Sequence, residues 1–394
     1  MHISLDSALG RQRRLNSVGE SVLQIAPNAA AAYSLRSLTG GDPKVVRVRR
    51  GSNNVESDFT ASGVSSGALL DFVTTPQIGW NSQPTFSNDS GTGSVTSQSS
   101  TATTATVSFT GDAALIRETS KPNHVLGSSG DQVIFNISVS GLDSAMTFRL
   151  RTSGTNTSVA SQSVSNGDNQ DITLNLTGSA GYLAITAVAS SGGTITFNSI
   201  KVLPKSGFVE TWYDQSGNGK DATQATAGSQ PKIVDEGVLV TDSSGNPALV
   251  GDGTDDTLFN STLTTELDNS DLLVTAAYKD DLDMGIDGGV PRFYLRSANF
   301  SYNANNIINY TPQTGRKILS FQVVGDTQEV FGNGTSLGTA SEPQSNIDGN
   351  MFNVMRAGGA FSSGPLMEVL VYNSNQSATR TAIESNINGH YSIF

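Results

Sequence analysis

The sequence contains no cysteine. Disulfides and thiolate metal sites are therefore excluded. Histidine is almost as scarce: His2, His124 and His390 are the whole complement and lie far apart in the chain. A metal site built from several imidazoles lacks the residues to form it. A Ser-His-Asp triad survives the count, but no G-x-S-x-G in a nucleophile-elbow context supports one. No apolar run approaches the roughly 20 residues needed to span a bilayer, so membrane insertion is not expected. The opening MHISLDSALG, followed by RQRR, lacks the apolar centre of a secretory signal. Charged residues make up only 15% of the 394.

What the chain has in quantity is Gly, 41 in all, together with Ser, Thr and Asn. Short β-branched runs recur between these turn formers, the pattern of an all-β protein. The net charge of −12 is unevenly spread. Residues 1–50 carry eight basic side chains against three acidic ones, and the remainder carries 15 against 32. An acidic body with a basic front end points to attachment through that front, although KVVRVRR (44–50) also reads as a strand with one solvated basic face. Nucleic acid is not an expected partner, because the acidic bulk would repel phosphates.

Residues 1–32 show no clear period and contain Pro27, so they read as an extended or partly helical arm that a partner orders. Strand-like text begins with AYSLRSL and VVRVRR, and GALLDFV (67–73) fits a helical turn. Residues 76–104 are dominated by Ser, Thr, Gly, Asn and Gln around a single Trp80. Six strands with intervening turns then follow up to TITFNSIKVLP, enough for a small β-sandwich. After Pro204 and Gly207 come longer strands and acidic turns. The chain ends in its best helix, expected to start at Ser377, to bury Ile383 and Ile387, and to stop at Gly389.

The most distinctive stretch is TWYDQSGNGKDATQAT (211–226). Asp214, Ser216 and Asn218 copy the front half of an EF-hand loop, but the bidentate Glu of such a loop is replaced by Ala225 and Asp221 falls out of register. Asp214, Asn218 and Asp221 are thus the alternative metal ligands, against an expectation of no metal and no cofactor. Asp252, Asp255 and Asp256 join Asp214 and Asp221 as carboxylates for glycosidase chemistry, but all sit in turns where Asp is expected on conformational grounds. The remaining reading is a structural corner: Trp212 buried, with Gly217 and Gly219 supplying positive φ. Tyr213 and Trp80 are the candidate sugar-stacking residues.

With FVETWYDQSGNGKDATQATAGSQPKIV, GNPALVGDGTDDTL (245–258) and MEVLVYN followed by AIESNINGHYSIF, the chain resembles concanavalin A-like (laminin-G-like) jelly-roll domains of phage virion structural proteins. It is more distantly similar to arabinofuranosidase catalytic-type modules, whose catalytic pattern is not found here. In the phage versions the LL-x-F-V segment runs almost directly into the tryptophan motif; here Phe72 and Phe208 are separated, and the ending GTITFNSIKVLP resembles a carbohydrate-binding-module jelly roll. The resemblance implies an all-β architecture of three parts. Residues 1–32 are an attachment arm. Residues 33–73 and 207–394 form a discontinuous lectin-type sandwich, and residues 74–206 form a second β-sandwich inserted in one of its loops.

The function so implied is that of a virion component (tail, fibre, baseplate or capsid surface) that is not an enzyme. It contacts other virion proteins through the arm, forms a homo-oligomer and adheres to host-surface glycans. A Gly/Ser/Thr-rich, acidic, β-rich chain has the style of an extracellular module, and that style without an export signal agrees with release by lysis. The alternative is a carbohydrate-active enzyme or a free sugar-binding module.

Overall fold

The computed structural model describes residues 20–51, 54–79, 84–90, 92–111, 114–118, 127, 129–152, 157–178, 180, 182–187, 192–264, 267, 271–287, 293–302, 306–344 and 351–394. The fold is an all-β sandwich architecture with four short α-helices among the described residues: α1 (Val22–Ile25), α2 (Ala61–Ser65), α3 (Ala68–Thr74) and α4 (Arg380–Tyr391).

Two antiparallel sheets enclose the larger core. One runs Ala31–Ser34, Pro365–Tyr372, Leu272–Lys279, Arg316–Val324, Thr327–Gly332, Thr335–Ser341. The other runs from Glu56–Thr60 through Lys44–Arg50, Gly207–Trp212, Ala222–Thr223, Leu258–Asn260 and Met351–Val354 to Asp283–Asp287. Lys232–Asp235 and Leu249–Val250 bridge the two at one edge, pairing Phe208 with Lys232, Lys232 with Val250 and Leu249 with Leu366.

The central strands Leu272–Lys279 and Pro365–Tyr372 are buried on both faces. Val274, Ala276 and Tyr278 face the sandwich interior, whereas Leu273 and Ala277 lie beneath Val22, Ile383 and Ile387. The helices α1 and α4 thus cover one sheet from outside, which accounts for apolar runs where a half-solvated sheet would alternate.

The chain between the two halves of this core builds another. Gly167–Asn175, Gln132–Ser140, Gly192–Leu203, Ala105–Thr110 and Ser94–Ser100 form one antiparallel sheet, and Ser158–Val164, Met146–Arg151, Tyr182–Ala187, Ala114–Glu118 and Phe86–Ser90 form the facing one. Burial alternates strictly along Gln132–Ser140, with Val133, Phe135, Ile137 and Val139 inward, as expected of a sheet with one wet face. This core draws only on residues 86–202, and the larger one on 30–73 and 209–371. Entry and exit are adjacent: Ile78 pairs with Lys201 and Gln77 with Val202. The chain re-enters the large sandwich at Gly207, where a Cβ would lie 2.7 Å from Val73 Cγ2.

Three expectations need correction. Residues 20–32 are not arm: Val22, Ala26 and Ala29 are buried, Ala30 N–H donates to Val371 O at 2.7 Å, and a strand begins at Ala31. Their small apolar residues lack a period because they fill gaps under α4 rather than forming one amphipathic face; residues 1–19 lie outside the described residues. The solvated basic face of Lys44–Arg50 is confined to Lys44 and Arg47, which pair with Asp58. Arg49 is buried, and Arg50 donates to Phe72 O and lies 4.5 Å from the centre of the Phe72 ring. Finally, α4 starts at Arg380 rather than Ser377 and continues through Gly389, ending where Ser392 turns left-handed at φ 53°.

Candidate functional site

The tryptophan motif sits where Gly207–Trp212 leaves the sheet. Trp212 is fully buried, its ring 5.8 Å from that of Tyr33. Gly217 and Gly219 adopt φ of 92° and 67°, the left-handed values that favour glycine. Asp214 closes the turn with both oxygens: Oδ1 accepts from Ala32 N and Ser216 N at 2.9 Å, and Oδ2 from Ser216 Oγ at 2.7 Å and Lys220 N at 3.1 Å. Asp221 Oδ1 accepts from Asp214 N at 2.9 Å, and Asn218 Nδ2 donates to Ala29 O at 2.9 Å. Buried Gln215 accepts from Leu38 N and donates to Ser34 O and Arg36 O. The motif therefore clamps residues 29–38 to the sandwich. Of the alternative metal ligands, Asp214 and Asp221 spend carboxylate oxygens on backbone N–H groups and Asn218 serves as a donor.

Tyr213 turns the other way. Its hydroxyl donates to Asp58 Oδ1 at 2.7 Å, and burial followed by that carboxylate raises its pKa to about 12. Asp58 also accepts from Arg47 and Lys44, which holds its carboxyl well below the usual range. Tyr213 is half-buried and anchored, not a free stacking platform. Trp80 lies outside the described residues.

The second motif, GDGTDD, forms part of a cleft. A cavity of about 480 Å³ is lined by Arg49, Asn54, Phe208, Gln230, Lys232, Asp252 and Asp256, with Ser129 of the smaller sandwich at its edge. Strand Lys44–Arg50 supplies Arg49, and the paired strand supplies Phe208 opposite it. The guanidinium is fixed by three acceptors: Gln230 Oε1 at 2.7 Å, Asn54 Oδ1 at 2.8 Å and Ala227 O at 2.9 Å. It lies 4.6 Å from the Phe208 ring centre, and burial lowers its pKa. Carboxylate oxygens of Asp252, Asp255 and Asp256 lie within 4.8 Å of one another. Asp252 and Asp255 are exposed, whereas Asp256 is buried with Oδ2 accepting from Asp252 N at 3.0 Å. Burial first, and then the charges of Asp252 and Asp255, push the Asp256 carboxyl up to about 7. The cleft thus sets the fixed Arg49 guanidinium and the Asp252 side chain beside the Asp256 carboxyl, which at neutral pH is shared between its two forms.

The sequence offered Asp252, Asp255 and Asp256 as glycosidase carboxylates but favoured a turn role for them, and it pointed to Arg49 only as surface charge. Phe208, Gln230 and Asn54 were missed. Their one sequence signal is that strands 44–50 and 207–212 flank the inserted block, so their pairing brings residues 49 and 208 together.

No protein-family model and no curated protein sequence matches the chain. Solved structures do. Trypanosoma rangeli sialidase in complex with sialic acid is 11% identical over 73% of this chain and 61% of its own, with a TM-score of 0.32. Truncated AlyQ with CBM32 and alginate lyase domains is 10% identical over 74% of this chain and 100% of its own, at 0.24. Mouse laminin α1 chain domains LG4-5 are 10% identical over 61% of this chain and 81% of theirs, at 0.24. The chain spans only about three fifths of the sialidase it matches, 61%. These likenesses concern β-sandwich fold alone. They also correct the expectation that the chain is not an enzyme, since a sialidase and an alginate lyase stand among the proteins it is similar to.

Proposed function

We propose that the chain is a phage virion surface protein that binds host-surface glycans in the cleft around Arg49 and Phe208. In this reading residues 33–73 and 207–394 form a lectin-like sandwich with residues 20–32 folded onto it. Residues 74–206 form an inserted second sandwich, and the protein works as a homo-oligomer in contact with other virion proteins. The virion assignment is supported by the three sequence motifs in phage-like order. The glycan assignment rests on one observation: a half-buried aromatic ring, a guanidinium fixed by three acceptors and two carboxylates share one cavity. A sugar presents apolar C–H faces and a rim of hydroxyls, and a ring beside preorganised planar donors and acceptors matches both.

The test joins mass spectrometry of purified particles to an array of bacterial surface polysaccharides. Presence in particles and binding to at least one polysaccharide are expected. Absence from particles sinks the virion assignment; an empty array with folded protein sinks the glycan assignment.

A second reading, hydrolysis of the bound glycan, rests on the carboxylates of Asp252 and Asp256. Lying within 4.8 Å of each other, they approach the roughly 5–5.5 Å of retaining glycosidases, and the Asp256 carboxyl, raised to about 7, is partly protonated at neutral pH. Sugar release abolished by Asp256→Asn with binding retained supports this reading. No release from any bound glycan rejects it.

A further inference from the structure

A cavity of about 500 Å³, sharing no residue with the cleft, opens where the C-terminal end of α4 meets α2 and the loop before Lys44. It lies within the roughly 300–1,000 Å³ range of small-molecule sites. Its polar lining is uneven. Arg36 donates from Nε and Nη2 to both oxygens of fully buried Glu368, at 2.7 and 2.9 Å, and from Nη2 to Asn386 Oδ1 at 2.9 Å. The ion pair gives the floor no net charge. The His390 imidazole is held below its ordinary pKa, by burial first and then by Arg36. At the mouth, Asp42 accepts from Ser62 N at 2.8 Å and Ser62 Oγ at 2.6 Å, which places a carboxylate there. Ser37 Oγ, also in the lining, is buried and reaches no partner. Leaving such a hydroxyl unpaired costs about 1–3 kcal/mol, which a hydrogen-bonding ligand recovers. The rest of the lining sets an apolar patch of Ala61, Val64 and Pro247 beside the polar side chains of Ser65 and Asn246.

We propose that this cavity is a second, independent binding site for an uncharged N-acetylated hexose. The buried Ser37 hydroxyl and the His390 imidazole meet its hydroxyl or amide groups, and Val64 and Pro247 receive the acetamido methyl. A neutral floor and a carboxylate at the mouth select against anionic sugars, because an incoming carboxylate finds the Arg36 guanidinium already paired with Glu368. The apolar patch of Ala61, Val64 and Pro247 selects against a sugar whose every substituent is a hydroxyl, because the patch then desolvates a polar group without pairing it.

The test is a titration of the full chain with N-acetylglucosamine, glucose, glucuronate and N-acetylneuraminate, followed by NMR. Two variants accompany it: Ser37→Ala removes the buried hydroxyl, and Ser65→Trp narrows the mouth from an exposed position. The expected result is preference for N-acetylglucosamine over the other three by about tenfold or more, the equivalent of a single well-placed group. Both variants should weaken that binding about tenfold, with the melting temperature raised in Ser37→Ala, which removes the unpaired hydroxyl, and not lowered in Ser65→Trp. No binding, equal binding of glucose, or preference for either anionic sugar overturns the proposal. So does binding that survives Ser65→Trp but is lost in the cleft variant Phe208→Ala, since the ligand then belongs to the cleft.

Discussion

Single residues divide into those that hold the fold and those left available for ligand. Trp212 belongs to the first group. Its indole is fully buried against Tyr33, so Trp212→Ala should lower stability by about 3–5 kcal/mol in urea unfolding; a loss below about 1 kcal/mol would mean that the ring is not a core anchor. Asp214→Asn should be milder, about 1–2 kcal/mol. The amide oxygen keeps the bonds from Ala32 N and Ser216 N, while the amide nitrogen cannot accept from Lys220 N. Chelators should leave the melting temperature unchanged in both proteins, and a chelator-sensitive wild type would restore the calcium reading.

Asp256 behaves differently because its folded pKa is raised to about 7, by burial before charge. The folded state then holds the proton more tightly than the unfolded chain, so stability falls as pH rises from about 4 through 7. Asp283, raised to about 6, acts in the same direction. The difference between wild type and Asp256→Asn isolates Asp256: the variant should gain melting temperature at pH 8 and little at pH 4. An equal change at both values would contradict the raised pKa.

At the scale of elements, legibility in the sequence follows the number of wet faces. The strand Gln132–Ser140 could be read directly because one face is solvated and its side chains alternate. Leu272–Lys279 and Pro365–Tyr372 are covered on both sides, so their sequence records burial without direction. The helix α4 was legible through Ile383 and Ile387, both fully buried. Its start was misplaced because Ser377 N bonds to the Asn375 side chain, and Thr379, the actual cap, makes no capping bond from its side chain. The segment 20–32 was read as arm because what fixes it is remote: Asp214 and Asn218 grip it from nearly two hundred residues away. Deleting residues 1–34 should therefore strip a strand from the edge of the sheet and uncover α4, giving an insoluble or unfolded large sandwich. A deletion variant with the wild-type melting temperature would refute that packing.

The whole molecule combines two sandwich interiors that share no residue, a further apolar cluster beneath α1 and α4, and a cleft that no local stretch encodes. The cleft was not legible because its lining comes from positions 49, 54, 208, 230 and 252, which only sheet pairing brings together. The disjoint cores predict that residues 74–206 produced alone unfold cooperatively, and that the remainder, with Val73 joined to Gly207 by a short linker, keeps its β-type circular dichroism. Two disordered pieces would reject the division.

The central claim is that glycan is held against Phe208 and Arg49, and calorimetry of the best-binding polysaccharide fragment tests it most directly. Phe208→Ala, which removes the ring, and Asn54→Gly, which frees one arm of the guanidinium while tolerating the positive φ at that position, should each weaken binding by about tenfold or more with the fold intact. Undiminished affinity in both variants would show that the glycan binds elsewhere and would contradict the account.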